Sequence, residues 1–300
     1  MVRTVFFGAR GVEFSGRHFA RICKSDAEVA AVVDSPPGSV DSTNIRKADR
    51  SIDEASRRLG VPLFRPASPG NPDFIEEISG LQPDLIVSAG YWGILPKRLL
   101  EIPKMASVNF HASLLPRHCG KHPVFWALWY GDTETGITLH HMNEGIDTGD
   151  IVYVKRVRVL PRDRVPTLYN RIMNASMPLV DRLFRDTAEG RVPRKPQSSK
   201  GYSYNFDLTG KDLRLDFEVP ASLLDKRVKI SAKRLYFEYE GKKWEVMKCR
   251  AKAYSDPAGR PGDMRLTGNS LELITSEGSL VIEAVFDGMS VLKPSRIKNL

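Results

Sequence analysis

Two side chains with complementary chemistry lie two positions apart in the middle of the chain, at Asn109 and His111. Polar and apolar residues alternate in this tract, so a β-strand would direct both side chains onto one face. A Gly- and Asp-rich stretch at 143–150 follows and supplies a carboxylate, Asp147. A carboxamide can donate to a developing oxyanion, an imidazole can carry a proton, and a carboxylate can orient that imidazole. The trio is therefore a candidate catalytic set.

Two other interpretations compete with catalysis. Asn109 and His111 could be an ordinary satisfied polar pair at the end of a strand. A zinc site is the second alternative, because five of the six histidines fall between His111 and His141 and histidine is a common zinc ligand. These histidines lack the i, i+4 spacing of a helical zinc motif, however, and no cysteine pair accompanies them. We therefore predict no metal.

The start of the chain reads as a β-α-β unit, with apolar strands at Val2–Gly8 and Ala27–Asp34 around a helix. Its glycines, Gly8, Gly11 and Gly16, do not follow the G-x-G-x-x-G spacing. A dinucleotide-binding dehydrogenase is therefore a weak alternative.

A continuous apolar run at 84–90 predicts a central strand of a parallel sheet. Residues 91–96 would then follow the carboxyl end of that strand, where open α/β sheets bind ligands. The next predicted strand, 105–110, delivers Asn109 and His111 to the same edge. The prediction is an α/β fold with a doubly wound, mostly parallel sheet.

Composition narrows the class of protein. The 300 residues carry a net charge of +9, which suits nucleic acid or a phosphorylated substrate. A solvated basic surface explains that charge equally well, because the excess is spread along the chain. No run approaches the roughly 18 to 20 apolar residues of a membrane span, and the N-terminus does not read as a signal peptide. Three widely separated cysteines indicate reduced thiols and a cytoplasmic setting.

Four tracts together resemble the formyltransferases that use 10-formyltetrahydrofolate. They are Asn109-x-His111, SLLPR at 113–117, GDTETGIT at 131–138 and EGIDTGD at 144–150. That family includes methionyl-tRNA formyltransferases, amino-sugar N-formyltransferases and the hydrolase domain of formyltetrahydrofolate dehydrogenase. The resemblance covers about residues 1–200 well and the remainder loosely.

The resemblance implies roles for individual residues. Asn109 and His111 would hold the formyl oxygen as it becomes anionic, and Asp147 would orient His111 and relay a proton. The folate co-substrate would lie between two groups of residues: Trp92, Ile94 and Leu95 on one side, and Asn143, Glu144, Gly145 and Ile146 on the other. The acceptor would contact Ser113, Arg117 and His122. Neither a metal nor a nicotinamide is implied.

The resemblance also predicts the domain organisation. Residues 1–189 would form the catalytic domain, and the Pro- and Lys-rich residues 190–206 would form a linker. Residues 207–300, rich in short strands and turn signals, would form an OB-like β-barrel domain. The sequence leaves the oligomeric state open.

The identity of the formyl acceptor depends on departures from the family pattern. The GKHPVFW tract at 120–126 is more like enzymes that act on small amines, such as amino-sugar nucleotides or siderophore and natural-product amines. The loop after Asp34 lacks the strongly basic tract that meets the tRNA acceptor stem, and it retains only Arg46, Lys47 and Arg50. Residues 230–234 also replace a WPGA-like stretch. We therefore expect a small amine acceptor.

Three alternatives stay open. Initiator methionyl-tRNA suits the second domain and the basic charge. A formyltetrahydrofolate hydrolase would use the same trio with water as the nucleophile. A non-catalytic nucleic-acid binder would leave the trio unexplained.

Overall fold

The computed structural model describes residues 1–36, 51–231, 234–253 and 259–297. Arg46, Lys47 and Arg50 lie outside the described residues, as do two residues of the 230–234 segment. The chain divides into two compact units. The first comprises Met1–Val124, Thr133–Pro161 and Pro166–Asn205, and the second comprises Phe125–Asp132, Arg162–Val165 and Phe206–Leu300.

Besides the range 207–300 that the sequence suggested, the second unit therefore includes Phe206 and two earlier segments, Phe125–Asp132 and Arg162–Val165. The assignment of catalysis to residues 1–189, with a linker at 190–206, stays a prediction.

The first unit is built on a seven-stranded sheet. The strands of this sheet are β1 (Val2–Gly8), β2 (Ala27–Asp34), β3 (Leu63–Phe64), β4 (Leu85–Ala89), β5 (Ala106–His111), β7 (Glu134–His141) and β8 (Ile151–Arg158). Two short strands of the same unit, β6 (Cys119–Gly120) and β9 (Tyr204–Asn205), lie outside the sheet. The strand order is β3-β2-β1-β4-β5-β7-β8, and β6 pairs with β9 separately. The first five strands in this order, from β3 across to β5, are parallel to one another. Strand β7 is antiparallel to β5, and β8 is antiparallel to β7. The predicted doubly wound, mostly parallel sheet is confirmed.

Helices connect these strands. Those described before residue 205 are α1 (Glu13–Ile22), α2 (Ser51–Leu59), α3 (Pro72–Gly80), α4 (Lys97–Leu100), α5 (Pro123–Trp129) and α6 (Val165–Ala188). Strand β4 is buried at every position, as its continuous apolar sequence requires. The chain winds in opposite directions from β1 and β4, so the loops after these two strands separate at the carboxyl edge. That edge is where this class of sheet binds ligands.

The second unit is an antiparallel, curled sheet with one helix. Its described elements are α7 (Ala221–Ile230), β10 (Tyr236–Tyr239), β11 (Lys242–Lys252), β12 (Met264–Thr267), β13 (Ser270–Ile274), β14 (Ser279–Phe286) and β15 (Val291–Leu292). The order is β10-β11-β14-β13-β12, with β15 also paired to β14. Across the described residues β10 and β12 form no ladder with each other, so the curled sheet is a half-barrel. The predicted small C-terminal β-barrel-like domain is confirmed in this form.

The aromatic stretch of α5 belongs to the core of the second unit. Trp126 and Trp129 are buried there among residues such as Leu224, Phe237 and Trp244. The indole N–H of Trp126 donates to the carbonyl of Phe206. These contacts agree with the expectation that this helix is core rather than a stacking surface for a ligand.

None of the helices in the described part of the chain combines the length and apolarity needed to cross a membrane.

One histidine of the first unit is buried without charge. His18 on α1 is fully buried between the rings of Phe14 and Phe110, and its Nδ1–H donates to the carbonyl of Phe14. Its Nε2 has no hydrogen-bond partner among the described residues. Burial disfavours the imidazolium form and lowers the pKa of His18 from 6.5 to about 4.

This burial predicts a specific acid sensitivity. Between pH 6.5 and 4 the unfolded chain binds a proton at His18 that the folded chain does not. As the pH falls through this window, the free energy of unfolding therefore decreases by about 1.4 kcal/mol per pH unit, or on the order of 3 kcal/mol in total. His18→Leu should remove this part of the slope, as measured by urea unfolding at several pH values. An unchanged slope in the variant would contradict the assignment.

Candidate active site

The candidate site begins with the register of two antiparallel strands. In β5 and β7, Asn109 lies opposite His140 and His111 lies opposite Thr138. Asn109 and His111 share one face of β5 because side chains alternate along a strand. Phe110, between them, points to the other face and packs on His18. The Nδ2 atom of Asn109 is 3.2 Å from Nε2 of His140.

Asp147 lies between two imidazoles. Its Oδ2 atom is 3.4 Å from Nδ1 of His111, and its Oδ1 atom is 3.4 Å from Nε2 of His140. Oδ2 also accepts a hydrogen bond from the backbone N–H of Gly120, at 2.8 Å. The side chains of both histidines and of Asp147 are largely shielded from solvent. The structure thus brings together the three predicted catalytic residues and adds His140.

Backbone carbonyls fix the tautomers of both histidines. Nε2 of His111 is 2.8 Å from the carbonyl oxygen of His118, and Nδ1 of His140 is 2.8 Å from the carbonyl oxygen of His141. A carbonyl only accepts, so each of these nitrogens carries a proton. In the neutral rings, the nitrogens that face Asp147 are therefore both unprotonated. A single proton entering this cluster would be held against the carboxylate.

The electrostatics decide which group accepts that proton. Burial lowers the pKa of His111, and Asp147 opposes this effect without cancelling it. Burial alone would raise the pKa of Asp147, but His111, His140 and the N–H of Gly120 together hold it well below its ordinary value. Asp147 is consequently ionised at neutral pH, while His111 is neutral and ready to accept a proton.

Two close backbone approaches shape the loops around the carboxylate. A Cβ at Gly149 would lie 1.9 Å from the carbonyl oxygen of His141. Gly120 has φ +86°, and a Cβ there would lie 2.6 Å from the carbonyl oxygen of Asn205. Only glycine fits at either position without movement of the backbone. These glycines allow the loops to approach closely enough for Asp147 to contact both rings.

Cys119 lies beside the cluster but is no nucleophile. Its thiol is buried near the carbonyl oxygens of Pro116 and Asp147. Burial, with a contribution from the Asp147 charge, raises the pKa of the thiol to about 12. Cys119 therefore stays protonated.

The residues predicted to wall one side of a folate differ in exposure. Ile94 is 69% exposed, whereas Leu95 is buried in a core cluster that also includes Met142 as a partly buried neighbour. Trp92 is half-buried, and its backbone N–H donates to the hydroxyl of Ser35. Leu95 thus anchors the segment after β4 to the core, and Trp92 and Ile94 are the side chains available to a ligand.

The other predicted folate-binding segment is an exposed loop. Asn143, Glu144, Gly145 and Ile146 are all exposed. The Oδ1 atom of Asn143 accepts hydrogen bonds from the N–H of Gly145 and the hydroxyl of Thr148. These bonds fix the shape of the loop before Asp147. Its contact with folate stays a prediction.

The predicted acceptor residues also occupy different environments. Ser113 is fully buried, and its hydroxyl donates to the carbonyl of Arg117, so it closes a turn. Arg117 itself is exposed. The ring of His122 lies 6.1 Å from that of Trp92, in an edge-on arrangement. His122 thus joins the predicted acceptor loop to the predicted folate wall.

His140 is a component of the cluster that the sequence analysis did not assign. The sequence showed it only as one of five clustered histidines. Its contribution depends on the β5–β7 register, which places it opposite Asn109. Strand alternation would have put His140 on the face shared with Thr138, but only the pairing of the strands identifies its partners.

No group of three or more His, Cys, Asp or Glu side chains in the described residues is arranged to hold a metal ion. The prediction that the protein needs no metal remains untested.

Comparisons with known proteins identify the class. A family model described as formyl transferase matches residues 2–181. The methionyl-tRNA formyltransferase of Myxococcus xanthus (strain DK1622) is 33% identical over 283 residues, which cover 93% of this chain and 88% of that protein. The family model spans more than half of the chain, and the similarity to this relative covers nearly all of it. The chain therefore belongs to the formyl transferase family. The resemblance drawn from the sequence motifs is confirmed.

Solved structures agree with the fold. An N-formyltransferase from Helicobacter canadensis, in complex with folinic acid and dTDP-3-aminofucose, matches with a TM-score of 0.65 at 16% identity, over 94% of this chain and 98% of that one. Glycinamide ribonucleotide transformylase 1 from Symbiobacterium toebii matches with a TM-score of 0.54 at 26% identity, over 66% of this chain and 93% of that one.

The cluster makes a prediction that needs no substrate. Asp147 raises the pKa of His111 against the effect of burial. Asp147→Asn should therefore lower the pKa of His111 further, because the charge that favours the imidazolium is removed, as measured by histidine NMR titration. Asp150→Asn is the matched control in the same loop and should leave His111 unchanged. Equal titration of His111 in the wild type and Asp147→Asn would contradict the electrostatic pairing.

Proposed function

We propose that this protein transfers a formyl group from 10-formyltetrahydrofolate to an amine. The observation that carries the proposal is the contact of the Asp147 carboxylate with both His111 and His140. Asn109 lies opposite His140 on the neighbouring strand and so belongs to the same cluster. This arrangement offers an oxyanion donor and a proton acceptor side by side. Both are needed for acyl transfer to nitrogen.

Asn109 is assigned to the oxyanion. An amide nitrogen has two N–H groups, so Asn109 can donate one to His140 and offer the other to the formyl oxygen. The amine attacks the formyl carbon, a C–N bond forms, and the carbonyl electron pair moves onto oxygen. Asn109 stabilises that charge.

His111 and Asp147 are assigned to the proton. Both ring nitrogens of His111 already face partners, Asp147 and the carbonyl of His118. This geometry supports proton transfer rather than the oxyanion contact that the sequence suggested for His111. The attacking amine gives its proton to the cluster, the oxyanion collapses, and the bond from the formyl carbon to N10 breaks. The cluster then returns the proton to N10 of tetrahydrofolate.

The folate co-substrate is supported by the family and by the folinic acid in the Helicobacter canadensis structure. Trp92 and Ile94 would contact the pterin from one side, and residues 143–146 from the other. Leu95 would support that wall from the core. We place this reaction in the cytoplasm, in keeping with three free cysteines among the described residues.

For the acceptor we propose a small amine, such as that of an amino-sugar nucleotide. The GKHPVFW tract supports this choice. The fold match to an N-formyltransferase in complex with dTDP-3-aminofucose is compatible with it. The proposed acceptor residues at the protein surface are Arg117 and His122.

Initiator methionyl-tRNA is the second candidate, and one observation favours it. The Myxococcus xanthus relative is a methionyl-tRNA formyltransferase, and its similarity extends over 93% of this chain, beyond the catalytic segment. A net charge of +9 would suit a polyanionic acceptor.

A panel assay distinguishes the acceptors. The protein would be incubated with 10-formyltetrahydrofolate and either charged initiator tRNA, dTDP-3-aminofucose or hydroxyornithine, and formyl gain would be followed by mass spectrometry. We expect formylation of a small amine. Formylation of methionyl-tRNA alone would overturn the acceptor choice, and release of formate without any amine would indicate a hydrolase.

The salt dependence of acceptor binding provides an independent prediction. Neutralising several phosphates makes the logarithm of affinity fall steeply and linearly with the logarithm of salt concentration. A small acceptor should give a shallow slope. This slope would be measured by titrating acceptor binding between roughly 50 and 200 mM salt. Over that range, proteins that neutralise many phosphates lose about 10³- to 10⁵-fold in affinity. A steep slope would favour tRNA.

Asn109→Ala tests the oxyanion assignment. Loss of one oxyanion donor should reduce kcat by about 10²- to 10³-fold, with the fold retained. Steady-state kinetics and thermal unfolding would measure both effects. A variant with wild-type kcat would remove Asn109 from the mechanism.

A further inference from the structure

A segment of the first unit after α6 contacts both loops that build the candidate site. We call residues 193–205 the strap. Its first part contacts the loop that carries Asp147, and its last part contacts the loop that carries His118. The proposed mechanism assigns the strap no task.

The first part of the strap is fixed to the β7–β8 connection. The carbonyl of Pro193 accepts a hydrogen bond from Nε2–H of His141, at 3.0 Å. Lys195 pairs with Ile151 through two backbone hydrogen bonds, of 2.7 and 3.0 Å. The strap thus continues the edge of the sheet at the point where the loop with Asp147 ends.

The last part of the strap is fixed to the loop after β5. The N–H of His118 donates to the hydroxyl of Ser203, and the N–H of Cys119 donates to the carbonyl of Ser203. Asn205 lies 3.0 Å from Nδ1 of His118 through its side-chain amide. These contacts hold the His118 carbonyl that fixes the tautomer of His111.

Gln197 is the strap residue whose side chain reaches the catalytic loop. Its amide Nε2 donates to the carbonyl of Asp147 at 2.8 Å and to the carbonyl of Gly149 at 2.6 Å. One NH₂ group therefore satisfies two carbonyls on either side of Thr148. Each N–H has one acceptor, so the donor capacity of the amide nitrogen is fully used.

The backbone at Asp147 explains why such a restraint is needed. Asp147 has φ +56°, in the left-handed region that L-residues other than glycine seldom adopt. This conformation turns the carboxylate toward His111 and His140. Surrounding contacts must hold a residue in such a region, and these conformations concentrate at functional sites.

We propose that Gln197 is a positioning residue that holds Asp147 in this conformation and so sets its contact with the two imidazoles. This inference rests on the proposed function for its kinetic consequence, but its geometric content is independent of any substrate. Gln197 touches no reacting group and acts through Asp147 alone.

Two substitutions at Gln197 keep its length and remove its donors. Gln197→Glu places a carboxylate against the two carbonyl oxygens and repels them, and Gln197→Met removes both amide donors to these carbonyls. Ser199→Ala is the matched control, because Ser199 is exposed on the same strap and its side chain makes no hydrogen bond within the described part of the chain.

The first readout is kinetic, using the acceptor that the panel assay selects. Both Gln197 variants should lose about 10- to 100-fold in kcat, because an ångström-scale misplacement of a catalytic group has effects of this size. KM for 10-formyltetrahydrofolate should stay within about threefold, since Gln197 lies outside the predicted folate wall. Ser199→Ala should match the wild type.

The second readout is histidine NMR titration of the protein without ligand. Because Asp147 raises the pKa of His111, displacing its carboxylate should lower that pKa in Gln197→Glu and Gln197→Met. In an Asp147→Asn background, the Gln197 substitutions should produce no further change in kcat or in the titration of His111. Non-additivity of this kind identifies two residues that act as one unit.

A purely structural role predicts a different pattern. The Gln197 substitutions would then lower the unfolding temperature while leaving the titration of His111 unchanged, or would act equally in the Asp147→Asn background. Either result overturns the inference. If the wild type formylates no acceptor, the proposed function fails, and the NMR titrations of the single and double variants still decide the role of Gln197.

Discussion

The structure of the candidate site depends on one carboxylate held between two imidazoles. Asp147 contacts His111 and His140, whose other ring nitrogens donate to backbone carbonyls. Both protons are therefore committed away from the carboxylate, and the space around it can take one more. An amine that attacks a carbonyl must lose one proton, and a folate nitrogen that leaves must gain one. In the proposed reaction the cluster would hold that proton between the two steps.

The rest of the first unit can be understood as support for this contact. The β5–β7 register sets Asn109 opposite His140, and the glycines at 120 and 149 let the flanking loops approach. The loop with Asp147 connects β7 to β8. The strap supplies hydrogen bonds to that loop from outside, through Gln197. Under the proposed function, the geometry of the loop that carries Asp147 thus depends on a neighbouring segment of the chain.

The sequence predicted much of this arrangement, for identifiable reasons. Alternation along β5 placed Asn109 and His111 on one face, and the continuous apolar run identified the central strand β4. His140 could not be assigned, because its partners follow from strand pairing between segments about 30 residues apart. The sequence does not predict the short strands β6, β9, β12 and β15, since two to four residues carry little periodic pattern. The open edge of the half-barrel depends on tertiary pairing, which composition does not encode.

The most direct test is a nitrogen-15 NMR measurement of histidine tautomers in the wild-type protein across a pH titration. At neutral pH the account predicts the Nε2–H tautomer for His111 and the Nδ1–H tautomer for His140. On acidification it predicts that His111 takes up a proton on Nδ1, the nitrogen that faces Asp147. The opposite tautomer for either ring, or a His111 Nδ1 signal that does not change on acidification, would contradict it.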